Sequence, residues 1–327
     1  MRYFIGSVIA VYLLASGAEF ADALEFKIVE NQMIVSGRIE SSDAWYFNRA
    51  LDKNSKVDTV VLRQMPGGKV DAMERIASTI EEKKLTTIVS GICVSACAHI
   101  FLAGEKRQFS DDFPLGSSFL GYHGVYRSAG SLEGYKGVVA TNSERWYVKR
   151  SGGKLDSEVV LAWLSFDHAS GLARFYHPNL KNRVPVVSYL CDGRMPLKKC
   201  KHLEKTALEY GIITTAELGH VKDTPHWKPE LYTKIKTPVS ALMDSDVISS
   251  GKKKAVGTYL KSKRPARAVV MSKNGRWLFW AGRSTMETAI AMAVLRCELK
   301  AEVKCHVIGL DDKLTRTLEQ IDDRDFK

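Results

Sequence analysis

Two glycine-containing stretches of this chain carry groups that could do acyl-transfer chemistry. The first is Pro66-Gly67-Gly68, and the second is Gly91-Ile92-Cys93-Val94-Ser95-Ala96-Cys97. Each follows a short apolar run that reads as a buried strand, so both turns stand at strand ends, where open α/β sheets bind ligands. A serine at a strand-to-helix junction is exposed above the sheet and lies at the positive end of the helix dipole. The next amide, that of Ala96, points into the same space. A Gly67-Gly68 turn on the neighbouring strand can bring a second amide close, because no side chain keeps it away. Two converging N–H groups make an oxyanion hole, usually the largest single term in such reactions. Ser95 still needs a base to become a strong nucleophile. His123, in Phe119-Leu120-Gly121-Tyr122-His123-Gly124, ends a short apolar strand between two glycines and can expose its imidazole. His99 is the rival, four residues after Ser95 on the same helical face, and reads as packed behind the nucleophile.

The elements that must hold these residues are legible in outline. Residues 24–38 alternate as a hairpin around Asn31-Gln32, and Ser41-Ser42 precede a helix whose Trp45 and Leu51 are expected to face a core. Thr59-Val60-Val61-Leu62 reads as a buried strand. Val70, Met73, Ile76, Ala77 and Ile80 recur at helical spacing, with Asp71 and Glu74 in the first turns. Leu85 to Val89 is a second buried strand, and Ser95 to Ala103 a small-residue helix. This order implies right-handed crossovers and a mainly parallel sheet. Beyond His123 the pattern is helical to about Leu164, then irregular from Ser165 to Pro196. Thr214-Thr215-Ala216-Glu217 has the form of a capping box.

Composition changes near residue 230, which separates a domain over 24–230 from a smaller one over 231–327. From Lys252 to Arg276 there are nine Lys or Arg and no acidic residue. A compact module follows: a strand over Ala268 to Met271, a turn at Asn274-Gly275, a strand over Trp277 to Trp280, and a helix capped by Ser284 with Glu287 behind it. Met286, Ile290, Val294 and Cys297 share one face of that helix, and Val303 to Ile308 forms a further strand. The basic stretch reads either as a solvated face or as a means of attracting anionic partners such as lipid headgroups or envelope polymers. No nucleic-acid-binding motif is present.

The 327 residues carry a formal charge of +11. Arg2, the apolar run Tyr3 to Ala18 and the small residues of Ala21-Asp22-Ala23 have the layout of a signal peptide cleaved after Ala23, which implies a periplasmic or secreted protein. Six cysteines agree with export: Cys93, Cys97, Cys191, Cys200, Cys297 and Cys305. Their spacing falls into three local couples, 93–97, 191–200 and 297–305. Cys93 and Cys97 could instead be reactive thiols, but around a helix start they read as a disulfide that stiffens the serine elbow. No couple has C-x-x-C spacing and no histidine stands at finger spacing, so a metal role is not expected. The chemistry also asks for no cofactor.

Taken in order, Val61 to Gly68, Thr86 to Arg107 with Cys93-Val94-Ser95-Ala96-Cys97 and Ala103-Gly104-Glu105-Lys106-Arg107, and then His123 resemble the Clp-protease-like branch of the ClpP/crotonase superfamily. The resemblance is closer to its exported bacterial members that carry a Cys-x-Ser-Ala-Cys motif. It covers roughly residues 26–220, with Ala207-Leu208-Glu209-Tyr210-Gly211-Ile212-Ile213 echoing the family's closing helix-turn. It implies an α/β fold, a ClpP/crotonase-like spiral of ββα units, here followed by a small basic α+β module. It also implies a serine peptidase triad in the order Ser, His, Asp. By that similarity Ser95 is the nucleophile, His123 the base, and the Gly68 and Ala96 amides the oxyanion hole. Met65 departs from the small or polar residue usual before Pro-Gly-Gly. For the third member Asp156, Asp167 and Asp192 are all available, and Asp167 is favoured.

Function therefore reads as an exported serine hydrolase acting on a peptide or protein substrate. The alternatives are a catalytically inactive Clp-like scaffold or binding protein of the cell envelope and, third, the acyl-CoA chemistry of crotonases, which export disfavours. For Ser95 alone the bland reading is a helix N-cap whose hydroxyl satisfies an orphan amide.

Overall fold

The computed structural model describes residues 24–126 and 138–322, except 169, 183–185, 194, 224, 226, 284 and 302. The expected signal peptide and the Ser284 cap lie outside the described residues. The chain begins with the hairpin β1 (Glu25–Val29) and β2 (Gln32–Ser36), then α1 (Asp43–Lys53), β3 (Thr59–Met65), α2 (Val70–Glu82), β4 (Thr86–Val94) and α3 (Ala96–Leu102). There follow β5 (Arg107–Phe109), β6 (Phe119–Tyr122), α4 (Val138–Arg150), α5 (Ser157–Leu164), β7 (Leu172–Phe175), β8 (Ser188–Cys191) and β9 (Lys201–His202). These nine strands form one sheet in the order β1-β2-β3-β4-β6-β7-β8-β9, with β5 also pairing β4. The α/β class is as expected.

The sheet is parallel only at its centre. β2, β3, β4, β5 and β6 pair in parallel, whereas β1–β2, β6–β7, β7–β8 and β8–β9 are antiparallel. The expectation of a mainly parallel sheet is corrected here. Two helices, α4 and α5, separate β6 from β7, and a two-helix excursion returns the chain to the sheet end it left, so β7 runs backwards. The 165–196 segment, read as irregular, is so over most of its described length but also supplies β7 and β8. Each has four residues, too few for a period of two to stand out.

Central strands are buried on both faces, which explains their continuous apolar runs. Val60, Leu62, Val89 and Cys93 face one core with Phe47 of α1, Ile76 of α2 and Phe101 of α3. Trp45 is not part of it: its side chain is 56% exposed, and α1 buries Ala44, Phe47 and Leu51 instead. On the other face Val61 and Ile88 meet Val221, and Arg63 ends in a buried network with Asp112 (2.9 Å), Asp223 (2.6 Å) and Ser90. Thr214-Thr215-Ala216-Glu217 opens no helix. Thr214 Oγ1 accepts from the Arg107 amide, and the chain runs on across the sheet. The reciprocal capping bonds occur earlier, between Thr206 and Glu209.

The second sheet contains β10 (Ala266–Ser272), β11 (Leu278–Arg283), β12 (Cys305–Leu310) and β13 (Lys313–Leu314), in the antiparallel order β11-β10-β12-β13. Helices α6 (Ala241–Asp244) and α7 (Ser250–Leu260) precede it, and α8 (Met286–Ala301) joins β11 to β12. Val256 and Tyr259 of α7 pack on Val269 and Met271, while α8 packs on Ala268 and Val270. The α8 core also takes in Ile92 and Val94 of β4, Phe113 and Trp227. Each such buried side chain contributes roughly 1.5–3 kcal/mol, so the module is packed onto the carboxyl end of β4 rather than hanging from it.

All six cysteines are paired as their spacing indicated: 93–97, 191–200 and 297–305. Such complete pairing belongs to an oxidising compartment. No described helix is long and apolar enough to cross a membrane.

Candidate active site

β3 does not run straight into its glycines. The pairing with β4 shifts between Arg63 and Met65, and Gln64 adopts φ 56° with its Oε1 accepting from the Ile92 amide at 3.2 Å. That bulge re-aims the chain into Pro66-Gly67-Gly68. Residues 38–40 then clamp the turn: the Ile39 amide donates to the Gly67 carbonyl, and the Lys69 amide to the Ile39 carbonyl, both at 2.9 Å. Glycine is required twice, for different reasons. At Gly67 (φ +98°) a Cβ would meet Ser95 Cβ at 2.7 Å; at Gly68 (φ +147°) it would meet the Ile39 carbonyl oxygen at 2.1 Å. In a trans peptide the C=O and N–H point in opposite directions. With its carbonyl committed to Ile39, the Gly67–Gly68 peptide turns the Gly68 N–H to the other side.

Ser95 follows β4, whose Val94 lies opposite Gly121 of β6, and its amide donates to the Gly121 carbonyl at 2.8 Å. Its backbone sits at φ 60°, ψ −127°, a conformation that costs an L-residue about 1–3 kcal/mol. The N-cap reading predicts a hydroxyl bonded to the first turn of α3, but Ser95 makes no such side-chain bond. The strain is held by the 93–97 disulfide spanning the elbow, by the bond to Gly121, and by the Ser95 carbonyl, which accepts from the His99 amide to open α3. Ala96 is the first residue of that helix, so its amide is one of the donors an α-helix leaves unpaired.

His123 stands just past β6. Tyr122 turns into the core against Trp163 and Phe175, leaving Gly121 and His123 on the opposite side of the strand. The His123 Nδ1 bonds the Gly124 carbonyl. A carbonyl only accepts, so Nδ1 carries the proton and Nε2 keeps its lone pair. Burial lowers the pKa of the ring, with the Gly124 bond opposing, and the imidazole is therefore neutral near pH 7. Ser95 and His123 thus stand at the same end of adjacent parallel strands, though no direct hydrogen bond joins them among the described residues.

Asp167 is exposed and makes no described bond to His123. Between them stands Tyr126, which the sequence reading missed. Its ring lies 5.1 Å from that of His123, and its hydroxyl donates to the carbonyls of Phe166 (2.8 Å) and His168 (3.3 Å). Burial, then the charges of Asp192 and Asp167, push the Tyr126 phenol up to about 12. Asp192 accepts from the His168 amide, and Asp156 is paired with Lys205 at 3.0 Å. His99 is stacked on Trp146 at 3.8 Å and bonded to the Tyr147 hydroxyl; burial lowers its pKa to about 3. It packs between α3 and α4, behind the nucleophile as expected.

Beside the site, Arg174 of β7 lies opposite Gly121 and between the rings of Phe119 and Tyr189. It lines a cavity of about 380 Å³ with Tyr189, Met195 and Leu197. Sequence spacing gave no sign of Arg174, because pairing alone brings it to β6, the strand that leads to His123.

No protein-family model and no curated protein matches the chain. Solved structures similar to it include a lysine-to-alanine variant of the 1510-N membrane-bound stomatin-specific protease in complex with a substrate peptide, at 16% identity over 59% of this chain and 74% of that one, TM-score 0.37. A serine-to-alanine variant of the same protease gives 16% identity over 60% and 82%, TM-score 0.36. ClpP1 from Listeria monocytogenes gives 16% identity over 62% and 95%, also with TM-score 0.36.

Proposed function

We propose that the chain is an exported serine hydrolase of the ClpP/crotonase-like type, acting on peptide or protein carbonyls. The observation that carries the reading is the strained Ser95 backbone, φ 60° and ψ −127°, at a strand-to-helix junction against Gly67. The hydroxyl is spared from capping, and this is how a nucleophile elbow presents its oxygen. In the reaction Ser95 Oγ attacks the carbonyl carbon and its proton passes to His123 Nε2. The amides of Gly68 and Ala96 receive the charge that develops on the carbonyl oxygen. His123 then returns the proton to the leaving amine, and water repeats the sequence to free the acid.

The Gly124 carbonyl fixes the imidazole tautomer, a task an aspartate performs in the usual triad. Asp167 and Asp192 act at one remove, through Tyr126. Closure on a substrate brings Oγ and Nε2 within hydrogen-bond reach, as apo sites commonly require. Export is supported by the sequence of residues 1–23 and by the pairing of all six cysteines.

The test is covalent labelling of the oxidised chain by a fluorophosphonate. The expected result is one adduct, on Ser95, lost in Ser95→Ala and strongly slowed in His123→Ala. Absence of an adduct on folded protein returns the chain to the scaffold reading, which the missing Ser95–His123 bond favours.

A further inference from the structure

The second sheet carries a feature that the hydrolase reading does not use. β11 is an edge strand, with α7 packed over one face of its sheet and α8 over the other. At that open edge lies a cavity of about 480 Å³ ringed by three arginines: Arg264 from the loop after α7, Arg283 at the end of β11, and Arg296 from α8. Two details show how the sequence places them. Gly282 has no side chain, and a Cβ there would meet the Cβ and Cγ of Arg264 at 2.7 Å, so the glycine lets the Arg264 stem lie against the strand. The Arg283 guanidinium donates to the Gly282 carbonyl at 2.7 Å, which fixes its direction.

None of the three is in a salt bridge among the described residues. Three guanidiniums elsewhere are well partnered: Arg63 faces two carboxylates, Arg107 three carbonyls and Arg150 three carbonyls. Three like charges around one cavity repel one another. Burial, then the charges of Arg296 and Arg264, lower the pKa of Arg283. A bound anion would remove that repulsion. On the α8 face the half-buried Phe279, two strand repeats from Arg283, adds an apolar ring, while Trp280 turns to the α7 face.

We propose that this cavity binds an organic phosphate, its phosphoryl oxygens held by Arg264, Arg283 and Arg296 and its body lying on Phe279. A phosphate monoester offers three free oxygens and up to two negative charges to three forks, whereas one carboxylate offers two oxygens and one charge. Free phosphate esters and the headgroups of anionic lipids both present this chemistry.

The experiment titrates inorganic phosphate, phenyl phosphate and benzoate into the full-length oxidised chain at low salt, by calorimetry. Phenyl phosphate is expected to saturate, to bind more tightly than inorganic phosphate because of its ring, and to lose about tenfold or more in affinity in Arg283→Gln and in Arg296→Gln. Lys273→Gln, on the turn after β10, leaves it unchanged. Arg296 is exposed, so its variant keeps the fold, and a thermal melt checks this. Vesicles with and without phosphatidic acid separate the two sources. Arg296-dependent sedimentation that phenyl phosphate competes away supports the site with a lipid phosphate as its ligand. Saturation by phenyl phosphate with no vesicle binding supports it with a soluble ester. The proposal is overturned if neither phosphate saturates at millimolar concentration and no vesicle binds. It is equally overturned if benzoate binds as tightly as phenyl phosphate, or if the arginine variants bind like the parent. Fluorophosphonate labelling at Ser95 is read independently of all these outcomes.

Discussion

The two sheets keep their unusual features in different currencies. At the carboxyl end of β3 and β4 the large sheet concentrates backbone strain: Gln64 at φ 56°, Ser95 at φ 60°, Gly67 and Gly68 also at positive φ, all without a charged side chain among them. In the second sheet the non-glycine residue at positive φ, among the described residues, is Asp311, in the turn from β12 to β13, and Gly275 serves the turn after β10. Those are turn positions where such angles are ordinary. What the second sheet concentrates is unpaired positive charge. Strain outside a turn is held where backbone donors must converge on a reacting group. Uncompensated like charge is held where a ligand supplies the other sign.

The contrast predicts opposite responses to glycine. Ser95→Gly removes the nucleophile, so any hydrolytic turnover falls by about 10³ or more, while relief of the left-handed strain raises stability by about 1 kcal/mol. Ser272, a buried serine at the end of β10 whose Oγ accepts from the Trp277 amide and donates to Asn274 Oδ1, should do the reverse: Ser272→Gly costs about 2 kcal/mol and leaves turnover unchanged. Denaturant melts of both variants with a turnover assay check the pair. A destabilised Ser95→Gly would show that the elbow is not strained.

Adding a methyl gives the next effect. In Gly67→Ala the new Cβ meets Ser95 Cβ at 2.7 Å and the Val94 carbonyl oxygen at 2.8 Å, at φ +98°. Neither neighbour can move without moving the elbow, so the variant should lose about 2–3 kcal/mol and most of its labelling rate. Gly251, near the start of α7, has nothing within 4 Å of its added Cβ. Gly251→Ala should therefore be neutral or stabilising by up to about 1 kcal/mol. Equal costs at the two positions would deny that Gly67 is packed for a reason.

What the sequence made legible follows the same division. β3, α2, β4 and the elbow could be read because long apolar runs end at glycines, and the three cysteine couples because each closes a local loop. The orienting partner of His123 could not be read, because it is the carbonyl of Gly124 and a backbone atom leaves no residue signature. Tyr126 stood three residues from His123 but only the fold turns its hydroxyl back to Phe166. The arginine ring was only partly visible. Arg264 lies in the basic run, whereas Arg283 and Arg296 come from a strand and a helix that packing brings together. Thr206 and Glu209 carried the same capping pattern as Thr214 and Glu217. The difference lies in where the chain goes next, and that depends on Arg107, whose guanidinium holds the carbonyls of Gly211 and Ile212.

Disulfides should also act differently in the two regions. The 93–97 and 297–305 bridges close loops of similar size, 4 and 8 residues apart, so removing either as a double alanine variant should cost about 2 kcal/mol. Only the first spans Ser95. Cys93→Ala with Cys97→Ala should slow fluorophosphonate labelling at equal fraction folded, and Cys297→Ala with Cys305→Ala should not. Equal labelling of both would mean that the bridge supports the fold but not the elbow.

Acid provides the smallest and most local test. The histidines whose pKa burial lowers, His99, His123 and His177, all belong to the large sheet and its helices. For His99 the folded value is about 3 against 6.5 for the free side chain. Between those limits the unfolded chain binds a proton that the folded chain does not, so stability falls as pH falls, by about 1.4 kcal/mol per pH unit. Nothing is gained above pH 6.5, where both states are neutral. His99→Phe keeps a ring against Trp146, which stacks on His99 at 3.8 Å, and should flatten the dependence by that one proton while lowering stability at pH 7 through loss of the Tyr147 bond. Tryptophan fluorescence during denaturant melts from pH 7 to pH 5 reads the slope. If parent and variant show the same slope, the ring of His99 is already charged in the fold, and its place between α3 and α4 must be polar rather than dry.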